Sequence, residues 1–280
     1  MSEKTLMVSA ALCQTPAVKS KSDSLETAIR YVENAAIQGA KLVVLPEMFC
    51  CPYQNDAFSP NAEPAGGTIW RALSGVAKAC EVTLVGGSFP ELGDDGRIYN
   101  TCFVFDERGE QIARHRKVHL FDIDIPGGQR FKESDTLAAG NEITTFDTPW
   151  GKLGAMICFD VRFPELARLM ALGGAKAIIV PAAFNMTTGP AHWELLMRAR
   201  AVDNFTHILA CAPARGESTG YVSYANSLVV SPWGKTIARL DTKPDILHAQ
   251  LDIGEVACAQ QQIPVFTARR TDLYDIAIKK

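Results

Sequence analysis

Eight stretches of this chain are apolar along nearly their whole length and no longer than a strand: LMVSAAL, KLVVLPE, VTLVGGS, YNTCFVFD, KLGAMICFD, AKAIIVPAA, HILACAPA and ANSLVVSP. A strand with one wet face alternates polar and apolar side chains, whereas a strand covered on both faces has no need to. Runs of this kind demand cover on both sides, which confines the chain to layered α/β architectures. The cover lies between them. SLETAIRYVENAAIQG, GGTIWRALSGVAKACE, PELARLMALGG and GPAHWELLMRARAVDN have helical length and spacing. The first opens at a serine with acidic residues in its first turn and closes at Gly39, and Pro164 suits the first position of the third. Elsewhere strands follow one another directly: R-G in YNTCFVFDERGEQIARHRK and W-G in SLVVSPWGKTIARL mark hairpin turns.

No linker rich in Pro, Ser or Gly divides the sequence, so residues 1–280 are expected to form a single domain. Its two strand-rich halves, roughly 5–116 and 143–251, are expected to make two mixed sheets packed face to face with helices outside. The tail, residues 262–280, carries Phe266 and Tyr274 in PVFTARRTDLYD and is expected to pack at a subunit interface, where those rings would be covered. The opening MSEKTLMVSAALCQTP reads as a first strand rather than a targeting segment. No apolar run approaches the roughly 18 residues that span a bilayer.

Charge narrows the partners. With 28 Lys and Arg against 31 Asp and Glu, the net charge is -3. That offers no broad basic field for nucleic acid or for an anionic membrane. The eight cysteines are scattered through apolar segments with no C-x-x-C pair. This pattern points to a reducing, cytoplasmic setting and away from a structural zinc site.

Three segments can carry chemistry. KLVVLPEMF ends a buried strand at Glu47, at the carboxyl end where α/β folds gather ligands, and its apolar flanks favour a raised carboxyl pKa. A capping or arginine-paired glutamate is the plainer alternative. KLGAMICFDVRFPELARL places Cys158 on a strand-to-helix elbow, which would present the thiol with the Phe159 N–H free for an oxyanion. The plainer alternative there is a buried thiol, with Asp160 and Arg162 pairing to brace the turn. RHRKVHLFDID runs out at Lys117, which alone reads as a solvated basic edge. A Cys–His dyad through His115 or His119 is disfavoured, since neither lies in an elbow or glycine-rich turn. Hydrolysis of an amide through a thiol needs a base for the thiol proton, an acid for the departing ammonia and a charge facing the oxyanion. A Glu, a Lys and a Cys, each at a strand end, supply all of these.

PEMF, RKVHLFD and MICFDVRFPE, in that order and at these separations, resemble the nitrilase superfamily of carbon-nitrogen hydrolases over nearly the whole chain. The resemblance implies a four-layer αββα sandwich that dimerises to αββα-αββα, with Glu47 as general base, Lys117 at the oxyanion and Cys158 as nucleophile. It also implies a second active-site glutamate, matched by Glu133 in RFKES, and needs no metal or organic cofactor. HLFDIDIPGGQRFKES, AFNMTTGPAHWELLMRARAVDN and QQIPVFTARRTDLY are similar to the omega-amidase branch, which implies a 2-oxoglutaramate or 2-oxosuccinamate substrate. Arg162, four residues beyond Cys158, is the candidate for the distal carboxylate, and Thr187 and Thr188 for supporting hydroxyl contacts. The competing expectations are an amidase for deaminated glutathione, an N-carbamoyl amino acid amidohydrolase, an acyl transferase, and a catalytically silent binding protein.

Overall fold

Successive side chains of a strand point to opposite faces, and here both directions meet apolar partners. In β1 (Met7–Gln14), Val8, Ala10 and Leu12 enter one core, whereas Ala11 and Cys13 enter another. β2 (Leu42–Val44) divides in the same way, with Leu42 and Val44 on one side and Val43 on the other. The first core lies between the two sheets and continues beneath the helices that carry Met170 and Trp193, and the second lies beneath the helices that carry Val32 and Leu73, which accounts for the lack of polar alternation. The computed structural model describes residues 6–16, 20–125, 130–216 and 221–279. Pro126, Gly127 and Gly128, in the loop that the sequence places after Lys117, lie outside the described residues.

Besides β1 and β2, the first sheet contains β3 (Thr83–Val85), β4 (Phe89–Leu92), β5 (Ile98–Phe105) and β6 (Gln111–Arg116). A two-stranded ribbon, β7 (Asp122–Asp124) with β8 (Arg130–Lys132), follows. The second sheet is formed by β9 (Thr144–Thr148), β10 (Gly151–Ala155), β11 (Ala177–Pro181), β12 (His207–Cys211), β13 (Leu228–Val230) and β14 (Thr236–Arg239), in the order β14-β13-β12-β11-β10-β9. β10, β11 and β12 pair parallel, and both sheets are mixed.

The division into halves needs one correction. β15 (Asp245–Asp252) leaves the second half and joins the first sheet, pairing antiparallel with all of β1 from Met7 opposite Asp252 to Gln14 opposite Asp245. An eight-residue ladder closes the edge that β1 would otherwise expose. The sequence DILHAQLD carries His, Gln and two Asp, so it lacks the apolar run that marks the interior strands.

Among the described residues, six helices complete the layers: α1 (Lys21–Ile37), α2 (Asn55–Asn61), α3 (Thr68–Cys80), α4 (Pro164–Leu172), α5 (Gly189–Asn204) and α6 (Gly254–Gln262). α1 begins earlier than its apolar pattern suggests, because the Ser20 hydroxyl accepts from the Asp23 N–H and caps it. α5 matches the segment read from sequence from end to end. Both hairpins form: β5 turns into β6 around Gly109 and β13 into β14 around Gly234, each glycine at positive φ. Among the described residues, no helix is long and apolar enough to cross a membrane.

Candidate active site

Three strands end on one side of the sandwich, and each hands its chain to a buried functional group. Glu47 lies three residues beyond β2, Lys117 directly follows β6, and Cys158 lies three residues beyond β10. The strand ahead of Cys158 stops at Ala155 rather than at the cysteine, although Met156 still donates to Ile179 of β11. A tight 3-10 turn then runs from Cys158 to Arg162, and α4 starts at Pro164. Cys158 has φ 46°, a left-handed conformation that disfavours a residue with a Cβ by roughly 1–3 kcal/mol. Met48, immediately after Glu47, has φ 48° and donates its N–H to Ser88 Oγ at 3.0 Å. Strained backbone thus sits at the thiol and next to the carboxylate, where the surrounding core enforces it.

Lys117 is fully buried, and its ammonium is held by two carboxylates, Glu47 Oε1 at 2.9 Å and Glu133 Oε2 at 2.9 Å. Burial alone would favour the neutral amine, but Glu133 and Glu47 outweigh it and lift the Lys117 pKa above that of an ordinary lysine. Glu133 is fully buried as well; its other contacts are the Phe121 N–H at 2.6 Å and the Tyr53 hydroxyl at 2.6 Å. Glu47 Oε1 also accepts from Asn100 Nδ2 at 2.9 Å. Burial pushes the Glu47 pKa up, opposed by Lys117 and reinforced by Glu133. The Cys158 thiol faces Glu47. Burial and the Glu47 charge raise its pKa, while Lys117 and the Ala183 N–H oppose the rise. The resting group is a thiol beside a proton acceptor.

Cys158 opens onto a cavity shared with Phe121, Phe159, Arg162, Phe184, Thr188 and Tyr221. Arg162 pairs with neither Asp160 nor Glu165. Its guanidinium donates to His192 Nδ1 at 3.2 Å and lies over the Phe159 and Phe184 rings, with no carboxylate ion pair among the described residues. Thr188 lines this cavity with its hydroxyl turned to Asn185 Oδ1, whereas Thr187 is exposed and lies outside the lining.

Several site residues carry no sequence signal. Tyr53 reaches Glu133, Glu47 and Lys117 from the segment before α2, and Asn100 reaches Glu47 from the middle of β5. Neither position stands out by spacing. Asp160 pairs with His115 and His119 instead of Arg162, and neither histidine makes a hydrogen bond or ion pair to Cys158.

An αββα sandwich with a thiol, a lysine and two carboxylates gathered at its strand ends defines the class of nitrilase-fold hydrolases. A carbon-nitrogen hydrolase family model matches residues 9–261. The chain is 47% identical to human omega-amidase NIT2 over 270 residues, covering 96% of this chain and 98% of that protein. It superposes on Saccharomyces cerevisiae Nit3, a member of branch 10 of the nitrilase superfamily, with a TM-score of 0.88 and 41% identity over 96% of this chain and 100% of that one. For the Caenorhabditis elegans NitFhit protein the TM-score is 0.87 and the identity 32%, over 99% of this chain and 68% of that one. The chain belongs to the carbon-nitrogen hydrolase family, enzymes that hydrolyse carbon-nitrogen bonds other than peptide bonds.

Proposed function

We propose that this protein is an omega-amidase that releases ammonia from a short dicarboxylic acid monoamide such as 2-oxoglutaramate. The observation that carries the chemistry is the buried Lys117 ammonium, 2.9 Å from Glu47, with Glu47 facing the Cys158 thiol. Glu47 takes the thiol proton as sulfur adds to the amide carbon. Lys117 and the Phe159 N–H face the oxygen that becomes negative, and Glu133 keeps the ammonium oriented. Glu47 returns the proton to nitrogen as the C–N bond breaks, so ammonia departs and a thioester remains. Water then adds to the thioester with Glu47 again accepting a proton, and thiol and carboxylate product are regenerated.

Substrate choice rests on Arg162. A half-buried guanidinium beside the nucleophile, with aromatic rings on its faces and no acidic partner among the described residues, suits a carboxylate at the far end of a short substrate. The similarity to human omega-amidase NIT2 supports the same reading. Ammonia release measured across a panel of amides tests it: 2-oxoglutaramate should exceed glutamine, asparagine and simple nitriles in kcat/KM. Arg162→Lys should raise KM for 2-oxoglutaramate far more than it lowers Tm, because a remote binding contact is lost. A tenfold preference for deaminated glutathione or an N-carbamoyl amino acid would overturn the substrate assignment and leave the chemistry.

The same reading includes a single-domain subunit in a cytoplasmic homodimer or higher homo-oligomer. Leu195 and Val202 on α5, Trp233, Leu273 and Tyr274 are exposed apolar side chains that a partner subunit would cover. Light scattering at micromolar concentration should give at least twice the chain mass; a monomer would contradict it.

A further inference from the structure

Lys117 and Cys158 belong to different sheets, so their separation depends on how the two sheets register at this end. The Lys117 backbone is tied to the first-sheet side, donating to the Asn100 carbonyl and accepting from the Gly140 N–H, each at 2.8 Å. The Cys158 turn extends from β10 of the second sheet. Between them lies a polar cluster that the proposed chemistry does not use.

Asp160 is its centre, fully buried two residues past the thiol. One carboxylate oxygen, Oδ2, receives the Ile157 N–H at 3.0 Å and His115 Nε2 at 3.0 Å. The other, Oδ1, receives the His119 N–H at 2.9 Å and His119 Nδ1 at 2.8 Å. An ionised carboxylate only accepts, so both ring nitrogens facing it carry protons. Burial disfavours the Asp160 charge, but the hydrogen bonds from His115 and His119 outweigh it and hold the pKa below the usual carboxylate range. Fully buried His115 also reaches Thr144 Oγ1 of β9 at 3.0 Å, and so meets both an edge of the second sheet and the turn that follows β10. The donors bracket the reacting groups: Ile157 precedes Cys158, and His115 and His119 stand two residues to either side of Lys117.

We propose that Asp160, with His115 and His119, is a positioning device that fixes the Lys117 ammonium against the Cys158 thiol across the junction of the two sheets. The inference rests on the proposed roles of Lys117 and Cys158. A hydrogen-bonded network centred on a buried carboxylate holds its members in place, and displacement of a reacting group by about 1 Å costs on the order of a hundredfold in rate. His119 offers the cleanest handle, since it is partly exposed and its ring stacks on Phe163 at 3.6 Å between centroids. Phenylalanine at this position keeps the stack and loses the side-chain donor, whereas glutamine keeps a donor.

The test is the rate of Cys158 alkylation by iodoacetamide as a function of pH, together with kcat, KM and Tm, in the full chain and in Lys117→Met, Asp160→Asn, His119→Phe and His119→Gln. Asp160→Asn and His119→Phe should lower kcat by about 10- to 100-fold with KM within about threefold. Both should shift the alkylation profile to higher pH, as Lys117→Met does, because the cation no longer faces the thiol squarely. His119→Gln should restore most of kcat and return the profile toward that of the unsubstituted protein. An unshifted profile in both Asp160→Asn and His119→Phe, with activity falling only as Tm falls, would overturn the positioning role while Lys117→Met still shifts it. If Asp160→Asn does not fold, the His119 pair decides alone: equal behaviour of the two variants overturns the inference. An unshifted profile in Lys117→Met itself would overturn the reading of the site, and the inference with it.

Discussion

The Tyr53 hydroxyl donates to Glu133 at 2.6 Å, and both side chains are buried. With its proton committed there, the phenolic oxygen is left to accept from Lys117 Nζ at 3.3 Å. Burial and the two neighbouring glutamates keep Tyr53 in its neutral form. Tyr53→Phe removes a hydrogen bond to a charged carboxylate, a contact worth about 1.5–3 kcal/mol. The expected result is a roughly 10- to 100-fold loss in kcat with a folded protein, read from ammonia release and Tm. Unchanged kcat would show that Glu133 and Lys117 hold their places without the phenol.

Acid sensitivity follows from Glu47. Its pKa is raised, chiefly by burial, and the proposed chemistry needs the ionised form to accept the thiol proton. Activity should therefore fall as pH drops through a midpoint above the ordinary glutamate value of about 4.3. The kcat/KM profile measures this directly, and a rate that holds flat to pH 4 would contradict the assignment of Glu47 as base.

Two glycines lie directly behind the proposed reacting groups. A Cβ at Gly87, which has φ +62°, would lie 2.2 Å from the Pro46 carbonyl oxygen, one residue before Glu47. A Cβ at Gly140 would lie 2.2 Å from the Arg116 carbonyl oxygen, one residue before Lys117. Overpacking of this kind costs about 1–3 kcal/mol and moves backbone. Gly87→Ala and Gly140→Ala should each lower Tm and reduce kcat beyond the loss of folded protein. A lowered Tm with unchanged kcat per folded molecule would show that the strand ends absorb the shift elsewhere.

Glu133→Gln separates orientation from charge. The amide keeps an oxygen for the Phe121 N–H but removes one of the two negative charges beside Lys117. A loss in kcat with little change in KM is expected, and a change confined to KM would place Glu133 at substrate binding rather than behind Lys117.

The fold was legible wherever interior packing governs side-chain choice. β1, β2, β5 and β11 are covered on both faces and announce it through uninterrupted apolar runs. β15 escaped because an edge strand keeps one side in solvent and tolerates His, Gln and Asp. At the site, Glu47 and Cys158 stand out through strand ends and turn chemistry, which are local properties, whereas Lys117 alone reads as a solvated basic edge and joins them only when the three segments are taken together. Tyr53, Asn100 and Asp160 do not stand out, since each contributes through partners 41 to 80 residues away in the chain. Local patterning near Asp160 pointed to a pair with Arg162; the fold instead brings two histidines to it and leaves Arg162 at the cavity.

A thioester on Cys158 is the intermediate on which the proposed chemistry turns, and mass spectrometry of quenched enzyme detects it most directly. Mixing excess 2-oxoglutaramate with the protein and quenching in acid within the first turnovers should reveal an added acyl mass, less ammonia, on the peptide bearing Cys158. Glu47→Gln should slow both formation and decay of that species by on the order of a hundredfold. Cys158→Ala should show neither adduct nor ammonia release. Sustained ammonia release by Cys158→Ala, or an acyl mass mapped to another residue, would contradict the mechanism.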